Sequence, residues 1–381
     1  EFPERGGLGF RAIQAKQTGH TFLDVPLLVT RHGTSFALRH DRQEWLNDPN
    51  DLTLDYIERY TIEHADECRA EPEAQARDAE SLACASGSAP LVTVCVPYYN
   101  LGDYLEETLV SLAKQTHPNL EVLVINDGST DVHSIDIFQA MRGRLPQFRF
   151  LEQANAGIGA TRNRGLHEAC GKFFLPVDAD NVAHPDMVRR LVQGMMHNRG
   201  IAALTCYFLA FRNSADLAAG RFAYAFKPTG GPRVLGCLQN IYGDGNALFR
   251  TEALRAVGGF GTDRDTSFED WEAFVKLVNA GRRVEVLPDF LFYYRHRAAS
   301  FSRITSGFRN QQRVLRRFVE TDSLPSEERA LLWNWLVGSQ MRLAKLEREN
   351  RALAAPGFRL KDGIKRTFQR IMRATKTLVD R

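Results

Sequence analysis

The sequence predicts an α/β protein: a mostly parallel central sheet flanked by helices, followed by a helical C-terminal region. Three observations predict it. Between residues 91 and 178, short apolar runs alternate with helix-length segments, as parallel strands joined by helical crossovers do. Two of the runs end directly in acid, at Asp127 and at Asp178 and Asp180; in such sheets ligands sit beyond the carboxyl ends of the strands. The length of 381 residues, 44% of them hydrophobic, suits two or three structural units with a large core.

Residues 1–90 form an N-terminal extension. Phe22 to Thr30 holds one apolar strand, and Arg31 to Thr34 a turn. Asp51 to Glu67 has a roughly helical spacing of Leu52, Leu54, Ile57, Ile62 and Ala65. The stretch from Glu67 to Pro90 reads as a linker or weak helix, closed by the boundary Gly87-Ser88-Ala89-Pro90.

Residues 91–300 form the second unit, where the strand and helix pattern is clearest. Leu91 to Pro97 is a buried strand, and Tyr104 to Gln115 a helix with Leu105, Leu109 and Leu112 on one face. Leu120 to Asp127 is the second strand, Phe148 to Leu151 the third, and Lys172 to Asp178 the fourth. A helix from Gly159 to Cys170 precedes the fourth, and another opens at Phe268 and runs to Asn279.

Residues 301–381 are helical and end in a basic tail. Leu332, Leu336, Ser339, Leu343, Leu346, Asn350 and Leu353 recur at heptad spacing. Two readings stand: a long helix lying on the 91–300 unit, or a coiled coil making a homodimer through 332–353. Residues 359–381 hold eight Lys or Arg against two Asp, with Ile364, Phe368, Ile371 and Val379 near one side. That is either a solvated tail helix or a basic amphipathic helix making peripheral contact with an anionic membrane surface.

Composition excludes several classes. A formal net charge of +3 is too small to imply nucleic acid. Six cysteines without a CxxC pair point away from structural zinc and toward free thiols in a reducing, cytoplasmic compartment. No run of about 20 apolar residues would span a membrane. The opening residues, Glu1 to Arg5, do not read as a signal peptide. The chain begins without Met, as a fragment or processed chain does.

Four local patterns and one histidine can carry chemistry. Asp178-Ala179-Asp180 places two carboxylates just past a buried strand, where hard oxygen ligands suit Mg²⁺ or Mn²⁺ and a diphosphate. Asn126 to Asp131 supplies either an acid for a nucleobase or ribose, or an Asx turn. Asn155-Ala156-Gly157-Ile158-Gly159 leads into a helix bearing Arg162 and Arg164; it can approach phosphate or be an ordinary Gly-rich loop. Phe268-Glu269-Asp270-Trp271 puts Asp270 or Glu269 forward as a general base, and helix-dipole stabilisation also accounts for such acids. His296, between Arg295 and Arg297, is a metal or phosphate ligand or a surface histidine.

In order and spacing, these pieces resemble an inverting family-2 glycosyltransferase with the GT-A nucleotide-diphospho-sugar transferase fold. The resemblance runs from Val94 to Asn100, through Ile125 to Asp131, Asn155 to Gly157 with Arg162 and Asn163, and Asp178 to Asp180. It ends at Gly258-Gly259-Phe260 and Phe268 to Trp271. It implies Pro97, Tyr99 and Asp127 around the uracil and ribose, Arg162 at phosphate, and Asp178 at ribose or sugar. It further implies Asp180 and His296 on the metal, Asp270 as base, and Gly245, Asn246, Glu269 and Trp271 on the acceptor side. The cofactor implied is Mn²⁺ or Mg²⁺, and the donor a UDP-sugar. The activity implied is hexosyl or N-acetylhexosaminyl transfer to a glycan or lipid-linked acceptor, in bacterial surface polysaccharide synthesis at the inner face of the cell membrane. Val29 to Gly33 and Asp55 to Arg59 resemble part of a GT-B glycosyltransferase domain, as in a piece of a larger multi-domain enzyme. The rival readings are a nucleotidyltransferase, which would want a Gly-rich basic loop where Pro97-Tyr98-Tyr99-Asn100 stands, and a non-catalytic carbohydrate-binding scaffold, which would not need Asp180 and Asp270 together.

Overall fold

The computed structural model describes residues 2–3, 9–19, 27–31, 57, 60–61, 65, 67–70, 89–231, 233–297, 305 and 307–319. The heptad stretch 332–353 and the basic tail 359–381 lie outside the described residues.

The first strands are β1 (Phe2–Pro3), β2 (Leu28–Arg31) and β3 (Glu67–Ala70), a three-stranded parallel sheet. The strand at Glu67–Ala70 corrects the linker or weak-helix reading of that segment. Its four residues carry no periodic signal of their own, and pairing with β2 makes the strand. Helix α1 (Phe10–Gln17) packs on the main sheet, where Arg11 donates to the Pro228 carbonyl at 2.8 Å and Gln14 to the Thr229 carbonyl at 2.7 Å.

The main sheet is built from β4 (Val92–Tyr98), β5 (Leu120–Asn126), β6 (Arg149–Glu152), β7 (Phe173–Pro176), β8 (Val182–Ala183), β9 (Ile201–Phe211), β10 (Tyr224–Phe226), β11 (Leu248–Arg250) and β12 (Arg283–Arg295). Its order is β6-β5-β4-β7-β11-β9-β12-β8, with β10 on β9. The strands β6, β5, β4 and β7 pair in parallel, as do β9 and β12; β8, β10 and β11 run antiparallel to their neighbours. The predicted mostly parallel sheet is present. The reversal at β11 brings its N-terminal end to the carboxyl ends of the parallel strands.

The helices are α2 (Gly102–Ala113), α3 (Val132–Arg144), α4 (Ile158–Glu168), α5 (Met187–His197), α6 (Ser214–Ala218), α7 (Arg233–Leu238), α8 (Thr251–Ala256), α9 (Glu269–Asn279) and α10 (Gly307–Val319). Strand β4 is buried along its whole length. Val92, Val94, Val96 and Tyr98 join the core on one face, and Cys95 the core on the other. Burial on both faces is why the segment reads as a continuous apolar run rather than an alternating one.

Helix α10 lies on α9 and locks it. Glu272, 1% exposed, accepts from Arg313 Nε at 2.5 Å and Arg317 Nε at 2.7 Å. Arg313 also donates to the Thr266 carbonyl at 2.9 Å, and Asn310 accepts from the Ser267 amide at 3.0 Å. The α9 N-terminus is thereby tied to a helix 40 residues on. Arg313→Ala strands a buried carboxylate on the half-exposed Arg317. It is expected to cost roughly 3 kcal/mol, read as a lowered urea midpoint with an unchanged m-value.

Candidate active site

The acids converge where the parallel strands end. After β7 the chain turns, with the Asn181 amide donating to the Asp178 carbonyl at 3.0 Å. The Asp178 amide donates to Asn246 Oδ1 at 3.1 Å, tying this turn to the loop before β11. The Asp180 carbonyl accepts from Arg295 Nε at 3.0 Å, and its carboxylate from Arg297 Nε at 2.6 Å. Arg295 is buried; its guanidinium lies 4.7 Å from the Tyr104 ring centre and 4.5 Å from that of Phe211, and it donates to Glu107. Burial raises the Asp180 pKa, Asp178 adds to this, and Arg297 and Arg295 oppose it.

Arg162 is the centre of the cluster. The sequence sets it forward for phosphate; in the structure it is 2% exposed and paired with two carboxylates. Its Nη1 donates to Glu269 Oε1 and its Nη2 to Asp178 Oδ1, both at 2.6 Å. Burial disfavours its charge, yet Asp178, Glu269 and Asp270 hold its pKa above the ordinary arginine value. α4 sets Arg162 under the acids, and its fork of donors satisfies two carboxylates at once.

Glu269 and Asp270 open α9. Phe268 before them has φ 73°, a left-handed backbone for a bulky side chain, costly enough to mark a place where surroundings dictate geometry. Glu269, the rival base, is buried on Arg162. Asp270 is half-buried, and its Oδ1 accepts from the Trp271 amide at 2.7 Å. Burial, Glu269 and Asp244 hold its pKa above the usual carboxylate range, against Arg162. Trp271 is buried and donates its ring N–H to the Gly236 carbonyl. A Cβ on Gly245 would lie 3.1 Å from Arg162 Nη2 and 3.2 Å from the Asp270 Cβ, so a side chain there would press on both groups.

At the other end of the site, Pro97 is buried within β4, and Tyr99 just beyond it is 44% exposed. Asp127 is buried and braces the next loop. Its Oδ1 accepts from Gln153 Nε2 at 2.7 Å and the Ala156 amide at 2.8 Å, and its Oδ2 from the Gly157 amide at 2.8 Å. Asn126 Oδ1 accepts from the Ser129 amide, three residues on, at 2.9 Å and closes the turn after β5. Gly128 has φ +69°, and a Cβ there would meet the Asn155 amide at 2.7 Å, so the turn requires glycine.

Among the described residues, no three His, Cys, Asp or Glu side chains gather into a metal cage. Asp178 and Asp180 each keep one carboxylate oxygen outside the ion pairs with Arg162 and Arg297. This donor set fits an ion held jointly by one or two carboxylates and substrate phosphates, as Mg²⁺ often is. The partner the structure gives Asp180 is Arg297, one residue past His296. The His296 amide donates to the Phe211 carbonyl at 2.8 Å, and its ring stands edge-on to Tyr224 at 5.7 Å.

Three residues here escaped the sequence reading. Asp244 accepts from the Asn246 amide at 2.9 Å and from its side chain, and burial and Asp178 raise its pKa. Its signal was an acid between two glycines, next to the Gly245-Asn246 pair already singled out. Arg295 and Arg297 flank the His296 that drew attention instead. Only the fold shows that they hold the Asp180 main chain and side chain.

Paired acids and a buried arginine lie at the carboxyl ends of a mostly parallel sheet, and the topology of that sheet is that of the GT-A fold. Residues 93–258 match the profile of Glycosyl transferase family 2, and this stretch is a family-2 glycosyltransferase domain. The uncharacterised glycosyltransferase YibD of Escherichia coli is 35% identical over 139 residues, 36% of this chain and 36% of that protein. The chain thus spans little more than a third of this curated relative. The fold is shared with S. aureus TarS 1-349, solved in complex with UDP-GlcNAc, at TM-score 0.52 and 23% identity over 64% of this chain and 71% of that one. It is shared equally with the mannosyltransferase PcManGT of Pyrobaculum calidifontis, solved in complex with GDP-Man and Mn²⁺, at TM-score 0.53 and 20% identity over 76% and 84%.

Proposed function

We propose that this domain transfers a sugar from a nucleotide-diphosphate donor to an acceptor hydroxyl, with inversion at the anomeric carbon and Asp270 as base. The observation that carries it is the group of four acids, Asp178, Asp244, Glu269 and Asp270, set around one buried arginine. The acceptor oxygen attacks the anomeric carbon, the bond to the diphosphate breaks, and the nucleoside diphosphate leaves with the electron pair. Asp270 takes the hydroxyl proton, and its raised pKa suits a base working near neutrality. Arg162 fixes Glu269 and Asp178, leaving Asp270 the acid of this turn free of an arginine pair. Donor nucleoside contacts fall to Tyr99 and the Asp127-braced loop. A divalent ion would be held by Asp180 and Asp178 with the donor diphosphate, and would neutralise charge developing on the leaving group. UDP-sugars are the expected donors, and GDP-sugars the alternative to compare. The acceptor class implied by the family resemblance is a glycan or a lipid-linked acceptor.

A panel of UDP- and GDP-sugars tests the reading by released nucleoside diphosphate. Turnover with at least one donor is expected. No release from any donor, together with no binding of UDP or GDP, overturns it. Calorimetry of UDP and GDP with Mn²⁺ and with EDTA tests the ion. Mn²⁺ is expected to tighten binding at least ten-fold, and Asp180→Ala to abolish the difference; equal affinity in Mn²⁺ and EDTA counts against a metal at Asp180.

A further inference from the structure

At the opposite end of the sheet from the acids lies a cavity of about 820 Å³. Its wall holds Lys172, Arg250, Arg255 and Arg282, and Glu252 is the one acid among the described residues that line it. The cavity sits at the amino end of β7 and the carboxyl end of β11, which pair antiparallel. The chain from Lys172 to Asp178 leads from it to the reacting centre, roughly 20 Å at about 3.3 Å per strand residue. A ligand held here is therefore separate from the acids that the transfer uses.

Two of the arginines are fixed in place without being neutralised. Arg250 donates through Nε to the Ile201 carbonyl at 2.7 Å and through Nη2 to the Met195 carbonyl at 2.8 Å. Arg255 donates through Nε and Nη2 to the Leu166 carbonyl at 3.2 and 2.7 Å, and through Nη2 to that of Ala169 at 2.9 Å. Nη1 of each is left without a hydrogen bond among the described residues, and none of the four cations has a carboxylate partner there. Lys172 Nζ and the Arg250 guanidinium lie 5.8 and 5.4 Å from the centre of the same Phe173 ring, so an aromatic face rather than an acid meets them. Burial, and then Arg199, lower the Arg250 pKa, as surplus positive charge does. Capping the last turns of α4 and α5 accounts for the carbonyl bonds. It does not account for four cations gathered round one cavity with a single acid.

We infer that this cavity binds a phosphate-bearing ligand through Arg250, Arg255, Lys172 and Arg282. Guanidinium groups match phosphate oxygens in geometry, and lysine adds a point charge. Arms already held by carbonyls lose little side-chain freedom when the ligand arrives. The volume is in the range of small-molecule sites. It accommodates a free compound with a few phosphate groups or the headgroup of an anionic lipid. A ligand with one carboxylate would leave most of the charge uncompensated.

Calorimetry of the full chain with inorganic triphosphate tests the site, beside co-sedimentation with phosphatidylglycerol vesicles. EDTA is present throughout, to remove any divalent ion that would recruit the probe to Asp178 and Asp180. The wild-type chain is expected to bind at least one probe. Lys172 and Arg282 are exposed, and Lys172→Glu and Arg282→Glu are each expected to weaken that binding at least five-fold. Arg212 is exposed just past the carboxyl end of β9, at the far end of the sheet. Arg212→Glu makes the same charge change there and is expected to weaken binding less than two-fold. Loss of triphosphate binding in the cavity variants supports the site and identifies a free phosphate compound. Loss of vesicle binding alone supports it and identifies a lipid headgroup. No wild-type binding to either probe, wild-type affinity in the cavity variants, or an equal loss in all three variants overturns the proposal. Melting curves on the same samples check folding, and a variant that melts early is replaced by Lys172→Gln or Arg282→Gln.

Discussion

Asp270→Asn is expected to leave donor binding intact and to cut sugar transfer by roughly 10²- to 10⁴-fold, the range for loss of a general base. Asparagine keeps the size and can still accept from the Trp271 amide, which Asp270 does at 2.7 Å, but it cannot take a proton. Transfer at the wild-type rate in Asp270→Asn would remove this residue from the chemistry. The pH dependence follows from the environment. Burial first, then Glu269 and Asp244, holds the Asp270 pKa above the usual carboxylate range. The base works ionised, so wild-type transfer is expected to fall with decreasing pH at a value nearer neutrality than an ordinary carboxylate would set. Stability runs the other way. A carboxyl whose folded pKa exceeds its unfolded one contributes stability at low pH and loses it as pH rises through the folded value. Asp270→Asn removes that loss. Its melting temperature is expected to exceed wild type at pH 8 and to match it at pH 4. A wild-type acid limb at the pH of a free carboxylate would contradict this environment.

The largest stability effect is expected at Arg162. Replacing it with Met keeps much of the volume and leaves Asp178 and Glu269 facing each other without their shared cation. Breaking a buried ion pair from one side costs roughly 3–5 kcal/mol, enough to unfold a domain of ordinary stability at modest urea. Lysine is not a substitute, because one ammonium cannot donate in two fixed directions as the guanidinium does. The triple variant Arg162→Met/Asp178→Asn/Glu269→Gln removes the stranded charges as well and is expected to recover a good part of the loss. Urea denaturation of the three proteins decides it: a single variant within about 1 kcal/mol of wild type would mean that the acids are held by other groups. In Glu269→Gln one charge remains paired through Asp178, so transfer and stability are both expected to fall less than in Arg162→Met. That ordering separates a supporting acid from the base.

Much of this site was legible in residue order. Strands β4, β5 and β7 are short apolar runs ending in polar residues, and burial on both faces leaves that pattern visible in one dimension. The Asp178–Asp180 pair and the Glu269–Asp270 helix start were visible for the same local reason: each belongs to a few consecutive residues. The family likeness lay in the order of these short pieces; the match to Glycosyl transferase family 2 covers residues 93–258 and ends before the Glu269–Asp270 helix start.

The partnerships among them were decided elsewhere. Arg162 looked like a phosphate ligand because it followed a Gly-rich loop. It became the buried counter-ion of Asp178 and Glu269, 16 and 107 positions away. Asp127, set beside a ribose by the family pattern, braces amides 29 and 30 residues on. Arg297 reached Asp180 across 117 positions, and the Phe222–Tyr293 stack joined two strands with no shared motif. Strand identity follows from local hydrophobic pattern, whereas the charge state and orientation of a side chain follow from whichever groups the sheet order brings within a few ångströms. The crossing of β11 between β7 and β9, for one, brings Asn246 to the Asp178 turn.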